Sequence, residues 1–192
     1  MFRRVLVFAL STFVLGAAVA FCQHGTASST QKSDDGLELH ANSHATAADI
    51  GLPSYPGATL YKDKENDSAI DLGLTLGDFR FTLKAANYAS SDPPARILVF
   101  YRKPLSRYGD VLECEHGKPV GAHAVTRSGL TCSDEQDGHA KTDASANTSG
   151  DHELRAGTPH QYRVVGIDKS QPGMTHFGLV YVDLPKNNSK TD

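Results

Sequence analysis

The chain has 192 residues, with 19 lysines and arginines against 22 aspartates and glutamates and a formal net charge of −3. An acidic balance without a basic run or an aromatic-interleaved basic stripe argues against nucleic acid as a partner. The length suggests one domain, and nothing repeats at the spacing of a solenoid.

The first twenty residues have the pattern of an export signal. Arg3 and Arg4 precede an uncharged run, Val5 to Ala20, which closes on small residues at Ala18 and Ala20. The run is shorter than the roughly 20 residues that a membrane-spanning helix needs. The pattern predicts a signal peptide over residues 1–20 and an exported protein, located in the periplasm, the medium or the cell envelope.

Cys22 leaves an alternative open at this end of the chain. A bacterial lipoprotein signal places a small residue immediately before the modified cysteine, and here that position is Phe21. Cleavage after Ala20 is therefore favoured, and lipidation of Cys22 is the alternative. Membrane contact is expected only if the signal stays uncleaved or Cys22 carries a lipid.

Composition divides the rest of the chain into one folded domain and three polar segments. Residues 21–49 offer almost no large apolar side chain and predict a disordered tether, because little surface could be buried to offset chain entropy. Residues 50–185 predict a single domain. Within it, residues 133–151 predict a mobile loop, and residues 186–192 predict a disordered tail.

The first predicted elements of the domain are strands. Residues 58–62 suggest a short strand, and residues 68–76 and 79–85 alternate apolar and polar side chains around a Gly77-Asp78 turn. This pattern predicts a hairpin with one wet face. The polar positions opposite the apolar stripe include Asp71, Arg80, Thr82 and Lys84.

The next predicted element is the main helix. Ser91 or Asp92 is expected to cap it, and Ile97, Tyr101, Leu105 and Tyr108 form an apolar stripe, while Pro104 should kink or end the helix near Lys103. Further strands are predicted at 110–114, 130–132, 161–167 and 177–184. This order predicts an α+β fold: a mostly antiparallel sheet with one main helix packed on one face.

Two short motifs resemble a pattern found in uncharacterised exported bacterial domains. One is the turn Tyr55-Pro56-Gly57-Ala58, and the other is the helix sequence Phe100-Tyr101-Arg102-Lys103 after Asp92-Pro93. The resemblance covers roughly residues 50–114 and implies a related fold. Pro104 departs from the pattern. No activity is attached to such domains, so no functional residue is carried over.

Cys114 and Cys132 are the strongest chemical pair in the sequence. Both end strand-like segments, and in an oxidising compartment they predict a disulfide, which leaves Cys22 as the odd cysteine. The alternative is a zinc site. Cys114, His116, His123 and Cys132 supply the two thiolates and two imidazoles that tetrahedral zinc takes, although their spacing matches no familiar zinc module.

No motif for catalysis is present. The chain lacks a Gly-x-Ser-x-Gly elbow, a glycine-rich phosphate loop and a His-Glu-x-x-His pair, so we expect no catalytic residue and no cofactor. The sequence favours a non-catalytic binding or interaction domain whose partner is an envelope protein or a wall polymer. The alternatives are an envelope hydrolase with a site assembled from distant residues, and a metal-binding protein using the zinc set.

We expect the signal to be cleaved after Ala20, because the apolar run is short and ends in small residues. N-terminal sequencing of protein recovered from the envelope or the medium tests this. A chain that starts at Met1 would contradict cleavage, and a blocked, acylated Cys22 would support the lipoprotein alternative.

Overall fold

The computed structural model describes residues 28–32, 36–62, 68–121, 123–132, 151–168 and 173–185. Several predictions lie outside these ranges: the signal peptide (1–20), Cys22, the loop at 133–150 and the tail (186–192). No helix in the described ranges is long and apolar enough to cross a bilayer.

The described chain forms one ten-stranded sheet in which all recorded pairs are antiparallel. The strands are β1 (Ser28–Lys32), β2 (Leu37–Asn42), β3 (Thr59–Leu60), β4 (Ala69–Leu76), β5 (Phe79–Ser90), β6 (Leu112–Glu115), β7 (Lys118–Pro119), β8 (His152–Gly157), β9 (Gln161–Ile167) and β10 (Thr175–Asp183). Their order is β1-β2-β4-β5-β10-β9-β8-β6-β7, and β3 pairs with the end of β5. The α+β class with a mostly antiparallel sheet is confirmed.

In the described ranges, two α-helices interrupt the strands. The short α1 (Ala47–Ile50) begins with a capping box between Thr46 and Asp49 and ends at Gly51, whose φ of 83° suits a glycine. The main helix α2 (Pro94–Leu105) continues through Pro104 and tightens into a 3₁₀ turn, Ser106–Tyr108.

The predicted cap of α2 is wrong. Pro93 occupies the N-cap position and makes no side-chain cap bond. The Asp92 carboxylate instead accepts hydrogen bonds from Tyr55 Oη at 2.7 Å and from Arg96 Nη1 at 2.8 Å. Asp92 therefore joins the start of the helix to the turn at Tyr55.

The predicted hairpin is present as β4 and β5. Its register pairs Leu76 with Phe79 across the Gly77-Asp78 turn, and Leu72 with Leu83 further along. Strand β5 runs on to Ser90, beyond the predicted end, because its second half pairs with β10 and β3.

The described part of the predicted tether, residues 28–32 and 36–49, is not disordered. Strand β2 pairs with β4 so that Leu37, Leu39 and Ala41 oppose Leu76, Leu74 and Leu72, and β1 adds to the outer side of β2. The apolar–polar alternation of this segment is weak, but the segment forms a strand because its apolar positions match those of β4, with which it pairs. The predicted domain began at residue 50 and therefore omitted β1, β2 and most of α1.

Strand β8 was also missed, because Glu153 and Arg155 make its sequence look polar. Both side chains are buried, and Arg155 Nε donates to Glu153 Oε1 at 2.8 Å. The residues between and after them, Leu154 and Ala156, are fully buried in the core. Glu153 and Arg155 can be buried because they pair with each other, and their charged residue types are the reason that the sequence did not predict β8.

The two surfaces of the sheet carry different apolar clusters. The main core joins buried residues of α2 to alternate residues of the central strands: Ile97, Leu98, Tyr101, Leu105, Ala69, Ala86, Leu154, Ala156, Val165, Ile167, Phe177 and Leu179. A second cluster uses the intervening positions: Val164, Val180 and Val182, with Leu83, Ala85, Tyr162 and Leu184 packed against them. Adjacent strand residues point to opposite faces, so the clusters lie on opposite sides of the sheet.

We expect Ile97→Ala to lower the free energy of unfolding by about 3 kcal/mol, because the side chain is fully buried in the main core and its truncation leaves a cavity. The matched control is Val99→Ala, two residues along the same helix and 69% exposed, which should stay within about 0.5 kcal/mol. Urea unfolding measures both. Equal losses of unfolding free energy in the two variants would contradict the burial of the Ile97 side of α2.

Candidate binding face

The outer strands expose a band of apolar side chains on the sheet surface opposite the main core. Ala69 and Ala86 pair across β4 and β5 and belong to the main core. The neighbouring positions on these strands, and those paired with them on β2, therefore point the other way. We call this band the open apolar face; it consists of Leu37, Leu39, Ile70, Leu72, Leu74, Leu76, Phe79, Phe81 and Leu83.

Much of the open apolar face is in contact with solvent. Leu37 and Leu39 are 37% exposed, and Ile70, Leu76 and Phe79 are 42%, 49% and 43% exposed. With about 200 Å² for a large apolar side chain, these five leave on the order of 400 Å² in water. Patches of this size on soluble proteins often mark an interaction site.

The open apolar face continues into the second cluster at the centre of the sheet. Leu83 pairs with Val182 on β10, and Val182 pairs with Tyr162 on β9. Val182 is only 8% exposed. The apolar surface is thus exposed on the outer strands and becomes buried towards the middle of the sheet.

The opposite side of the same outer strands is polar. Glu38, Thr75 and Arg80 are cross-strand neighbours there, and Lys84 Nζ lies 3.2 Å from Asp71 Oδ2. The sequence had suggested Asp71, Arg80, Thr82 and Lys84 as a surface for a partner. The structure places all four on one side of the hairpin, with two of them paired to each other; their role in binding stays a prediction.

Cys114 and Cys132 form the predicted disulfide. The S–S distance is 2.04 Å, and both residues are buried with Leu112 in a small cluster at the β6 end of the sheet. Because each sulfur is bonded to the other, neither is a thiolate that could bind zinc, and His116 and His123 are exposed. Within the described ranges, no three His, Cys, Asp or Glu side chains are placed to hold a metal ion.

Glu113 lies at the centre of a charged cluster. Arg102 donates to Glu113 Oε2, and His152 Nε2 lies 2.7 Å from Glu113 Oε1. Burial alone would raise the pKa of this carboxyl, but the hydrogen bonds from Arg102 and His152 outweigh burial and lower the pKa. The cluster ties α2 to β6 and β8.

Asp110 is also paired. Arg127 donates to both of its carboxylate oxygens, at 2.9 and 2.6 Å, and these bonds hold the pKa of Asp110 well below its ordinary value. Sequence analysis missed this pair and the Glu113 cluster because the partners are 11 to 39 residues apart.

Arg163 forms a second cluster that sequence analysis missed. Its guanidinium carbon lies 3.6 Å from the ring centroid of Tyr108 and 4.6 Å from that of Tyr181. Its Nε donates to Ile50 O at 2.7 Å, and Tyr108 Oη donates to Gly51 O at 2.5 Å. These contacts hold the end of α1 against the sheet, so we interpret Arg163 as a residue that stabilises the fold.

Comparisons with known protein families, with curated proteins and with solved structures found no match. The resemblance to exported bacterial domains therefore remains a prediction. Its two motifs do touch in the structure. Ala58 N donates to Tyr55 O at 3.1 Å across a turn with Gly57 at a φ of 74°, and the Tyr55 ring meets Phe100 edge to face at 5.0 Å.

We expect Glu113→Gln to destabilise the protein at neutral pH by about 1 kcal/mol, because the neutral amide loses the charge-assisted bonds to Arg102 and His152. A carboxyl whose pKa is lowered by folding contributes stability above its unfolded pKa. That contribution is lost as the pH falls through and below the unfolded value of 4.5.

The stability difference between wild type and Glu113→Gln should therefore be largest above about pH 6 and should shrink below about pH 4. Urea unfolding across this pH range measures it. Glu115→Gln, on the same strand but exposed, is the matched control and should show little effect. A difference that is independent of pH would contradict the ionised role of Glu113.

Proposed function

We propose that this protein is an exported, non-catalytic binding domain of the cell envelope, and that it holds a partner against the open apolar face. The observation that carries the proposal is the exposure of Leu37, Leu39, Ile70, Leu76 and Phe79 on one side of the outer strands. Burying them against a partner would remove apolar surface from water, which is the main driving force of most protein association.

In this proposal, the two faces of the sheet have different roles. We infer that α2 packs on one face and leaves the other face of the outer strands for binding. The shared core of Ile97, Tyr101 and Leu105 with Leu154 and Leu179 supports this placement of the helix.

Export is supported by two independent features. The first is the basic and apolar pattern of residues 1–20. The second is the Cys114–Cys132 disulfide, since structural disulfides persist in oxidising compartments and are rare in the cytosol.

Binding is favoured over catalysis by the state of the Glu113–His152 contact. The Arg102 guanidinium also holds the Glu113 carboxylate, and its pKa is lowered. A general acid needs a raised pKa, and a general base needs one close to the operating pH. A carboxylate engaged by an arginine and a histidine is better suited to fastening α2 to the sheet.

The chemistry of the open apolar face also selects among partners. Its side chains are aliphatic or aromatic and donate no hydrogen bonds. A sugar polymer of the cell wall presents many hydroxyl groups that this surface would desolvate without compensation. An apolar protein surface is therefore the favoured partner, and a wall polymer would instead suit the polar side with Arg80 and Thr82.

Site-specific photo-crosslinking in expressing cells tests the proposal. A photoreactive p-benzoylphenylalanine replaces Phe79 on the open apolar face, and in a matched strain it replaces Arg80, the next residue, on the polar side. We expect irradiation to give a discrete, heavier adduct from position 79 and little from position 80, because neighbouring strand positions face opposite ways.

Position 39 and position 38 provide a second matched pair on β2, with the same expectation. Equal adducts from both sides of the sheet, or no adduct from positions 79 and 39, would contradict binding through the open apolar face.

A further inference from the structure

We propose that the partner of the open apolar face is a second copy of this chain, packed face to face. This inference rests on the proposed function, because it names the occupant of the same surface. Three features of the surface lead to it: its area, its lack of charge and the polarity of its edge.

The area of the open apolar face is close to the apolar part of one half of a standard-size interface. The five exposed members contribute on the order of 400 Å², and the half-buried Leu72, Leu74, Phe81 and Leu83 add to this area. A standard-size interface buries about 800 Å² on each partner, of which about 57%, or roughly 450 Å², is apolar.

The composition of the face allows it to meet its own copy. In a two-fold dimer each patch packs against the identical patch, so a charged side chain near the axis would approach its own equivalent. Every member of the open apolar face is uncharged, and the charged neighbours Glu38 and Arg80 point to the other side. Two copies could therefore associate without burying an unpaired charge.

Along β1, the edge of the face has the polarity of an interface rim. Gln31 and Ser29 on β1 pair with Leu39 and Ala41 and so belong to the same side of the sheet, and both are exposed. Uncharged polar groups around an apolar centre are the usual anatomy of a protein interface. Two sheets that pack in this way form a sandwich about 10 Å thick.

A bilayer is a less suitable occupant. Surfaces that dock on membranes combine apolar side chains with lysine and arginine that reach anionic headgroups. The open apolar face has phenylalanine and leucine but no lysine or arginine among its members. Membrane binding is accordingly an outcome that would overturn the inference.

The test uses the chain in the form that cells deliver, with its N-terminus determined by sequencing. Sedimentation equilibrium from about 1 to about 100 µM gives the mass and the dissociation constant of the dimer. A tenfold change in this constant corresponds to about 1.4 kcal/mol of binding free energy. Leu39→Lys and Phe79→Glu each place a charge on the open apolar face. Glu38→Gln and Arg80→Gln are their controls, because each makes the same change in net charge at the neighbouring position on the opposite side.

We expect wild type and both controls to approach twice the chain mass, and both face variants to associate at least about tenfold more weakly, because a charge would be buried without a partner. Circular dichroism and melting curves check folding. Both substituted side chains are more than a third exposed in one copy, and if one variant fails to fold, the other still decides the result.

A wild type that stays monomeric throughout, or a dimer that the face variants leave intact, would overturn the second-copy inference. So would flotation of wild type, but not of the face variants, on vesicles of phosphatidylcholine and phosphatidylglycerol. Adducts from position 79 with a mass other than twice the chain would overturn it too, while leaving the proposed binding function standing. Absence of any adduct from positions 79 and 39 defeats the binding function itself.

Discussion

Neighbouring side chains on a strand point to opposite faces of the sheet, and this alternation governs which apolar groups join the main core. The central strands are apolar on both faces. Phe177 and Leu179 lie in the core with α2, and Val180 and Val182 lie in the cluster on the other side. The outer hairpin has an apolar stripe on only one face. Its register with β10 places that stripe opposite the main core, and the leucines of β2 then extend it.

The β6 end of the sheet is held by a different kind of interaction. There the Cys114–Cys132 disulfide closes a small buried cluster, and Glu113, between Leu112 and Cys114, turns to the opposite side to meet Arg102 and His152. The same strand therefore carries a covalent link on one face and a charged link to the helix on the other. The charged groups Arg102, Glu113 and His152 in this region fasten α2 to the sheet.

The proposed function and the proposed partner share one physical basis. The second side of the sheet is buried at its centre and exposed on the outer strands, and a second identical sheet matches the exposed part in size and in lack of charge. Such an arrangement would give the domain a larger buried core than its own length provides. The polar side with Arg80 and Thr82 would remain free in the dimer for a further contact.

The sequence by itself determined the elements whose signals are local. The alternation of β4 and β5, the stripe of Ile97, Tyr101 and Leu105, and the pairing of two cysteines were all predictable, since periodicity and redox chemistry act over short stretches. Strand β2 was not predictable, because its weak pattern becomes a strand only beside β4. Strand β8 was not, because Glu153 and Arg155 are buried by pairing with each other. Most importantly, only the tertiary structure decided that the hairpin's apolar stripe lies on the side of the sheet opposite the main core. Alternation specifies that one face is apolar, but the side on which it lies depends on the register with strands distant in sequence.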